Sequence, residues 1–593
     1  MKDIYTKFLF FTGKGGVGKT SLACATAIKI ADEGKKVLLI STDPASNLED
    51  VLDSSVKNEI TLHKTLSNLF TININPETSA QEYRHRVIDP LKGVVSSDEI
   101  NKVTEQLSGA CTTEIASFDE FSRFITGEGN PEVYDVIIFD TAPTGHTIRL
   151  LELPAAWGSF LENNPNGATC IGPSSALKSS KERYRKVITC LRDAGQTTFY
   201  LVARAETSSL KEAARTSSEL KELGLANQKL LINGVFNAID TSDGVAMKME
   251  QIAEKELSEM PEVLKSMDAT SFPLLPYNVL GVEKLRSLLN KDIQQKLAVA
   301  EISKEHEFMH PLEDLTDLVD ALEGNGKSGL IMTMGKGGVG KTIVAASIAT
   351  LLAQRGHEVL LTTTDPAAHI KDFINQLDEL PEKLTLERID PKVETQHYID
   401  KIVDQKSATL DEGEKKLLLE DLQSPCTEEV AVFHAFSSAI YKAKRQFVVI
   451  DTAPTGHTLL LLDTTGSYHK EIIKKLNPTS SKVKTPYMFL QDENFAKIIL
   501  ITLPETTPMR EAEGLQNDLK RAGINPYAWV INQSLSAIKN LRDPLLKKRA
   551  ASEIAVINFI TKKLSKRTYG IPYLPEEKLL PAILKLHDVK QLQ

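Results

Sequence analysis

GKGGVGKT at residues 13–20 is the stretch from which the fold can be read, and the same eight letters return at 335–342. Each copy follows a strand-like apolar run, Phe8–Phe11 or Leu330–Met332, and opens a helix-like one, Ser21–Ala31 or Ile343–Ala353. In that setting the spacing G-x-x-x-x-G-K-[ST] predicts a phosphate-binding loop. Gly13, Gly15, Gly16 and Gly18, like Gly335, Gly337, Gly338 and Gly340, let the chain curl so that successive N–H groups face one concavity. The helix end that follows adds partial positive charge, and Val17, Ser21, Val339 and Ile343 complete the two turns around a polyphosphate. Lys19 and Lys341 are expected to reach the β- and γ-phosphates, and Thr20 and Thr342 to offer a hydroxyl to Mg2+.

Outward from the loops the two halves keep matching. TDPAS at 42–46 returns as TDPAA at 364–368, CTTEIASFDEF at 111–121 as CTEEVAVFHAF at 426–436, FDTAPTGHT at 139–147 as IDTAPTGHT at 450–458, and LING at 231–234 as VINQ at 530–533. The offset shrinks from 322 residues at the loop to 299 at the last pair, as expected of a duplication whose second copy lost loop residues. A period of that length marks a duplicated domain, not a solenoid. The expected organisation is a first half at 1–302, a joining segment at 303–328 and a second half at 329–593. The join runs into the small polar stretch EGNGKSG at 323–329.

In the first half, strand-like runs at 7–12, 36–41, 135–140, 197–203 and 229–233 alternate with helical stretches at 19–32, 147–153, 178–193 and 208–222. Short apolar strands separated by helices predict an α/β fold, with two phosphate-loop domains of mostly parallel sheet flanked by helices. The motif loops then lie at the carboxyl ends of strands, where such sheets bind ligands. The stretches 44–139 and 366–450 read as helical insertions poor in strand signals.

Bulk composition narrows the function. The 593 residues carry a formal net charge of −9, so the basic footprint of a nucleic-acid binder is absent. The longest apolar runs are strand-sized, which predicts no membrane span. The start MKDIYTKFLFF reads as a first strand, not a signal peptide. Five widely spaced cysteines with no C-x-x-C indicate neither a disulfide framework nor a zinc knuckle, and a reducing cytoplasm is the expected compartment.

Four aspartates are candidates for the chemistry. Asp43 and Asp365 end strand-like runs and precede Pro, which keeps the carboxylate out of a helix, where it can orient an attacking water or ligate Mg2+. Asp140 and Asp451 end the apolar runs VIIF and VVI, as a Walker-B aspartate does. Gly145 and Gly456, in TAPTGHT, are placed to sense a terminal phosphate.

The lysine after the first glycine, Lys14 and Lys336, resembles the signature of the deviant phosphate-loop ATPases. The tandem arrangement, with DTAPTGHT in both halves, resembles the arsenical pump-driving ATPase family over nearly the whole chain. That resemblance implies an intrachain pseudo-dimer with helical insertions and two ATP, each signature lysine reaching the nucleotide of the other half. It places Asn233 and Asn532, with PLLP at 273–276 and YLP at 573–575, on the adenine side. It assigns As(III) or Sb(III), the activating ligand, to Cys111, Cys170 and Cys426 at the interface of the halves, with His146 and His457 nearby. These ions are soft and thiophilic, and Cys111 and Cys426 occupy equivalent places in the repeat whereas Cys170 has no counterpart. The partners implied are a separate integral-membrane arsenite carrier, at the inner face of the membrane, and a metallochaperone. Cys24 and Cys190, within helical patterns, read as packing residues, and Met247, Met249, Met260 and Met267 as gap-fillers. The alternative is an ATP-dependent targeting factor for tail-anchored membrane proteins, although its zinc C-x-x-C is missing here.

Overall fold

Runs such as FLFFT, VLLIS and VIIFD carry apolar side chains at successive positions, so both faces of the strand must be covered. A computed structural model shows how. It describes residues 5–42, 48–89, 110–127, 133–141, 185–300, 312–324, 326–364, 370–406, 425–452 and 485–591, with isolated residues at 92–107, 168–183 and 422. The chain forms two units, Met1–Ala238 with Met249–Lys304, and Ile239–Lys248 with Glu305–Gln593.

In the first unit the strands are β1 (Phe8–Thr12), β2 (Val37–Ser41), β3 (Thr61–Leu62), β4 (Leu69–Asn73), β5 (Val136–Asp140), a small β6 (Ala168–Thr169) and β7 (Gly172–Pro173) ladder, β8 (Thr197–Ala203), β9 (Gln228–Val235) and β10 (Asp268–Pro273). The main sheet has the order β10-β9-β8-β1-β5-β2-β4-β3, parallel except for β3 against β4. The second unit contributes β11 (Gly329–Met334), β12 (Val359–Thr363), β13 (Leu384–Leu386), β14 (Phe447–Asp451), β15 (Ala496–Thr502), β16 (Ala528–Ser534) and β17 (Thr568–Pro572). These form one parallel sheet in the order β13-β12-β14-β11-β15-β16-β17. The expected α/β architecture is therefore present twice.

One expectation needs correcting. The stretches after TDPA are not purely helical insertions: β4 pairs in parallel with β2 from Val37–Leu69 to Ser41–Asn73, and β13 pairs with β12. Both strands are short and hold polar residues, Thr71 and Asn73 or Thr385, which weakened their signal. Helices follow only afterwards, at Pro76–Ile88 and Ala110–Thr126, and at Pro391–Lys406 and Pro425–Lys442.

Each sheet is covered on both faces. Strand alternation sends Leu9 and Phe11 to the layer under helix Lys19–Asp32, and Phe8 and Phe10 to the opposite layer, where Phe10 stacks on Phe139 at 4.5 Å and on Phe199 at 4.9 Å. Cys24 is fully buried in the first layer and Cys190 packs at the edge of the other, so both serve packing, and burial pushes both thiols up. Met260 and Met267 likewise pack against this second layer. Within 303–328, helix Leu315–Glu323 turns Leu315, Leu318, Val319 and Leu322 into the second unit's core. Its start is fixed by a reciprocal capping box between Asp314 and Asp317.

Residues Ile239–Lys248 follow β9 in sequence yet belong to the second unit. Two buried aspartates, counterparts in the repeat, hold them there. Asp243 Oδ1 accepts from the N–H groups of Val245 and Ala246 at 2.9 and 3.2 Å, capping helix Gly244–Ser258, while Oδ2 accepts from Arg542 and Asp543 at 2.6 and 2.8 Å. Asp543 returns the arrangement. Its Oδ1 accepts from Leu545 and Leu546 at 2.9 and 3.2 Å, capping helix Pro544–Phe559, and its Oδ2 from Ile239 and Asp240 at 2.7 and 3.0 Å. Burial opposes ionisation of Asp243, but these four backbone donors outweigh it and hold the carboxyl below its ordinary range.

Asp543→Ala removes one cap and leaves buried donors without acceptors, so the second unit should lose about 2–4 kcal/mol, read by urea denaturation. Because the pKa of Asp243 is depressed on folding, its stabilisation is complete above the ordinary value of about 3.9 and is lost as pH falls through the lower folded value. Acid titrations of the wild type should show this component, and those of Asp243→Ala should lack it.

Candidate nucleotide site

Each loop is shaped by glycines that no other residue could replace. Gly18 and Gly340 end their loops in the left-handed region at φ 92°, and a Cβ there would overlap the side-chain amide of Asn233 or Asn532. A Cβ on Gly13 or Gly335 would overlap the carbonyl oxygen of Val202 or Ile501 on the neighbouring strand. The close approach is needed because the loop is braced from that side: Asn233 Nδ2 donates to the Val17 carbonyl at 2.8 Å, and Asn532 Nδ2 to that of Val339 at 2.9 Å. The family resemblance places these asparagines on the adenine side, and in the structure their amides donate to the phosphate loop. Their repeat within LING and VINQ was the available signal.

The two loop lysines are buried, and each folds over its own loop. Lys19 Nζ donates to the Lys14 carbonyl at 3.2 Å and Lys341 Nζ to the Lys336 carbonyl at 3.0 Å. Thr20 Oγ1 donates to Asp140 Oδ2 at 2.8 Å, and Thr342 Oγ1 to Asp451 Oδ2 at 2.8 Å. Both aspartates are fully buried at the ends of β5 and β14. The strand ends are locked side by side, since Thr141 Oγ1 donates to the Phe11 carbonyl and Thr452 Oγ1 to that of Thr333, each at 2.8 Å. The TDPA motif starts from the same point: Thr42 and Thr364 each donate their N–H to the carbonyl of Asp140 or Asp451 at 3.0 Å. In each unit, therefore, the loop, the Walker-B aspartate and the start of the TDPA motif converge.

Lys14 and Lys336 differ. Lys14 Nζ donates to Ser208 Oγ at 3.1 Å, whereas Lys336 is ion-paired with Glu511. Asp43, Asp365, Cys170, His146 and His457 lie outside the described residues, as do the side chains of Cys111 and Cys426. Cys111 and Cys426 are the second residues of helices Ala110–Thr126 and Pro425–Lys442, equivalent positions in the two units.

The donor set fits Mg2+. A hydroxyl and a carboxylate in contact offer only oxygens to a hard cation, and Mg2+ bound with phosphates needs few protein ligands because it keeps several waters. The glycine-shaped cradle at a helix N-terminus fits a polyphosphate.

A family model described as anion-transporting ATPase matches residues 6–294, 328–467 and 462–589. The chain is 48% identical over 572 residues to an arsenical pump-driving ATPase of Acidiphilium multivorum, covering 96% of both chains. An arsenical pump-driving ATPase of Escherichia coli gives 48% identity over 572 residues with 96% of both covered. An ATPase named GET3 from Ajellomyces dermatitidis is 31% identical over 310 residues, 48% of this chain and 89% of the relative.

Removing the brace should loosen the cradle. Asn233→Ala or Asn532→Ala is expected to weaken binding of a fluorescent ATP analogue at its own site about tenfold, one lost hydrogen bond's worth, as read by titration.

Proposed function

Since the chain belongs to the anion-transporting ATPase family and is an ATPase, we propose that it drives an arsenical pump, its turnover raised by As(III) or Sb(III) held on Cys111, Cys170 and Cys426. The observation that carries this reading is 48% identity to arsenical pump-driving ATPases across 96% of both chains. ATP is the substrate at both loops. Backbone N–H groups of residues 13–20 and 335–342 bind its phosphates, and Lys19 and Lys341 turn from the loop carbonyls to the β- and γ-phosphates. Mg2+ would be held by Thr20 with Asp140, and by Thr342 with Asp451, with Asp43 and Asp365 as further candidates. It would neutralise the negative charge that builds on the phosphates during transfer. Asp43 and Asp365, one residue beyond the anchored Thr42 and Thr364, orient the attacking water. Lys14 and Lys336 add positive charge at the phosphates.

The metalloid is bound by thiolate sulfur, the donor that soft trivalent ions prefer. Cys111 and Cys426 are the second residues of helices Ala110–Thr126 and Pro425–Lys442. A metalloid that prefers the hydrolysis-competent arrangement raises turnover by shifting the population toward it, and ATP reciprocally tightens metalloid binding. No helix among the described residues is long and apolar enough to cross a membrane, and the proposal gives that step to a separate integral-membrane carrier at whose cytoplasmic face this chain works.

Steady-state ATPase assays test the reading. Antimonite should raise turnover, and Cys111→Ala or Cys426→Ala should abolish the rise while leaving basal turnover; an unchanged rate with antimonite would overturn the metalloid assignment. Asp140→Asn, which weakens the Thr20 and Mg2+ contacts, should cut the turnover of the first site by about a hundredfold in a chain whose second site is already disabled by Asp451→Asn.

A further inference from the structure

The two sides of a phosphate loop face different parts of a nucleotide, and in the second unit one of them holds a buried acid that the chemistry above does not use. The sheet order β13-β12-β14-β11-β15-β16-β17 puts Asp451 and the start of the TDPA motif on the β14 and β12 side of the loop. The reacting end of a triphosphate belongs there, beside Thr342 and Asp451. Its nucleoside end must then leave toward β16 and β17, the side from which Asn532 braces the loop. The inference rests on this placement of the base of ATP.

The chain leaves β16 irregularly. Pairing with β17 shifts register between Ile531 and Ser534, and Gln533 stands in the left-handed region at φ 58°. The first unit has Gly234 at the corresponding place, at φ 72°. A glutamine persists there only where its surroundings fix it. The residues that follow close on Glu553, a buried side chain of helix Pro544–Phe559. Glu553 Oε1 accepts from the Leu535 N–H at 3.0 Å, and Oε2 accepts from the Ser536 N–H and from Ser534 Oγ, both at 2.9 Å. The Ser534 carbonyl accepts from the N–H of Tyr573 at 3.0 Å, which ties in the stretch YLP at 573–575. Burial pushes the Glu553 carboxyl up, and these donors offset that cost. The first unit is built otherwise. The Val235 carbonyl accepts from Leu274 at 2.8 Å, as that of Ser534 does from Tyr573. Yet Val235 stands for Ser534, Asn237 for Ser536 and, counted from the capping aspartates, Ala253 for Glu553. There Glu250 Oε1 accepts from the Ala238 N–H at 3.2 Å.

We propose that Glu553 is a positioning residue for the base of the nucleotide in the second site: it gathers the turn at 534–536 and, through Ser534, sets residues 573–575 against that base. Its effect falls on the nucleoside and not on the phosphates. The two sites therefore hold the base by different means, although their phosphate loops are identical in sequence.

The test is steady-state ATPase kinetics on the full chain carrying Asp140→Asn, which confines turnover to the second site. Inorganic tripolyphosphate, which has the phosphates and no base, serves as competitive inhibitor. Glu553→Gln is nearly isosteric but turns an NH2 group toward donors. It should raise KM for ATP about three- to tenfold, with kcat and the inhibition constant of tripolyphosphate unchanged. Ser534→Val installs the first unit's residue and leaves both backbone donors paired with Glu553. It should raise KM about twofold, and it carries the test if Glu553→Gln does not fold. A joint rise of KM and inhibition constant, or no rise in KM, overturns the positioning role. Tyr573→Ala tests the placement of the base. If it weakens ATP and spares tripolyphosphate while the Glu553 and Ser534 variants change nothing, the positioning role is wrong and the placement stands. If no variant separates ATP from tripolyphosphate, the placement fails, and the positioning role fails with it.

Discussion

The hydrogen bond between the last residue of each phosphate loop and the aspartate at the end of an adjacent strand, Thr20 to Asp140 and Thr342 to Asp451, is the point on which the rest of each unit converges. It forms because the strand preceding the loop lies next to the strand ending in the aspartate, with Phe11 level with Asp140 and Thr333 level with Asp451. The strand leading to the TDPA motif lies on the other side, Ser41 level with Asp140 and Thr363 with Asp451. Three motifs far apart in sequence thus become neighbours through the strand order alone. A parallel sheet puts all three loops at the same end, as the binding rule for such sheets requires.

The two units reach this arrangement with different cores. Phe8, Phe10, Phe139 and Phe199 pack together in the first, where the second has Leu330, Met332, Ile450 and Ile498. Conversely, the first has Leu230 where the second has Trp529, whose indole N–H is satisfied by Gln516 at 2.9 Å. What persists is apolar character at alternate strand positions and enough volume to fill the layer, which is what cores demand most strictly. The loops at 13–20 and 335–342, Asp140 and Asp451, and Asn233 and Asn532 are, by contrast, identical across the repeat, because hydrogen-bond geometry does not tolerate such exchanges.

This contrast also explains what was legible in the sequence. The phosphate loops, the central strands and the helix behind each loop stood out because glycine spacing and uncharged apolar runs are local signals. The offset between repeats identified counterparts such as Asn233 and Asn532. Strand β4 was hidden because its alternation is interrupted by Thr71 and Asn73. The brace from Asn233 to Val17 joins residues 216 apart, and no pattern within either stretch specifies that contact. The same holds for Lys336 and Glu511, which pair across 175 residues.

The ten residues Ile239–Lys248 bear on how the duplicated gene can be taken apart. They are translated with the first repeat but complete the second, where Asp243 and Asp543 exchange their backbone contacts. A break near residue 305 would therefore leave the C-terminal fragment without part of its own structure. Once such an exchange is established, fusion of the repeats is hard to reverse: a single-repeat descendant would have to rebuild the missing segment from its own sequence.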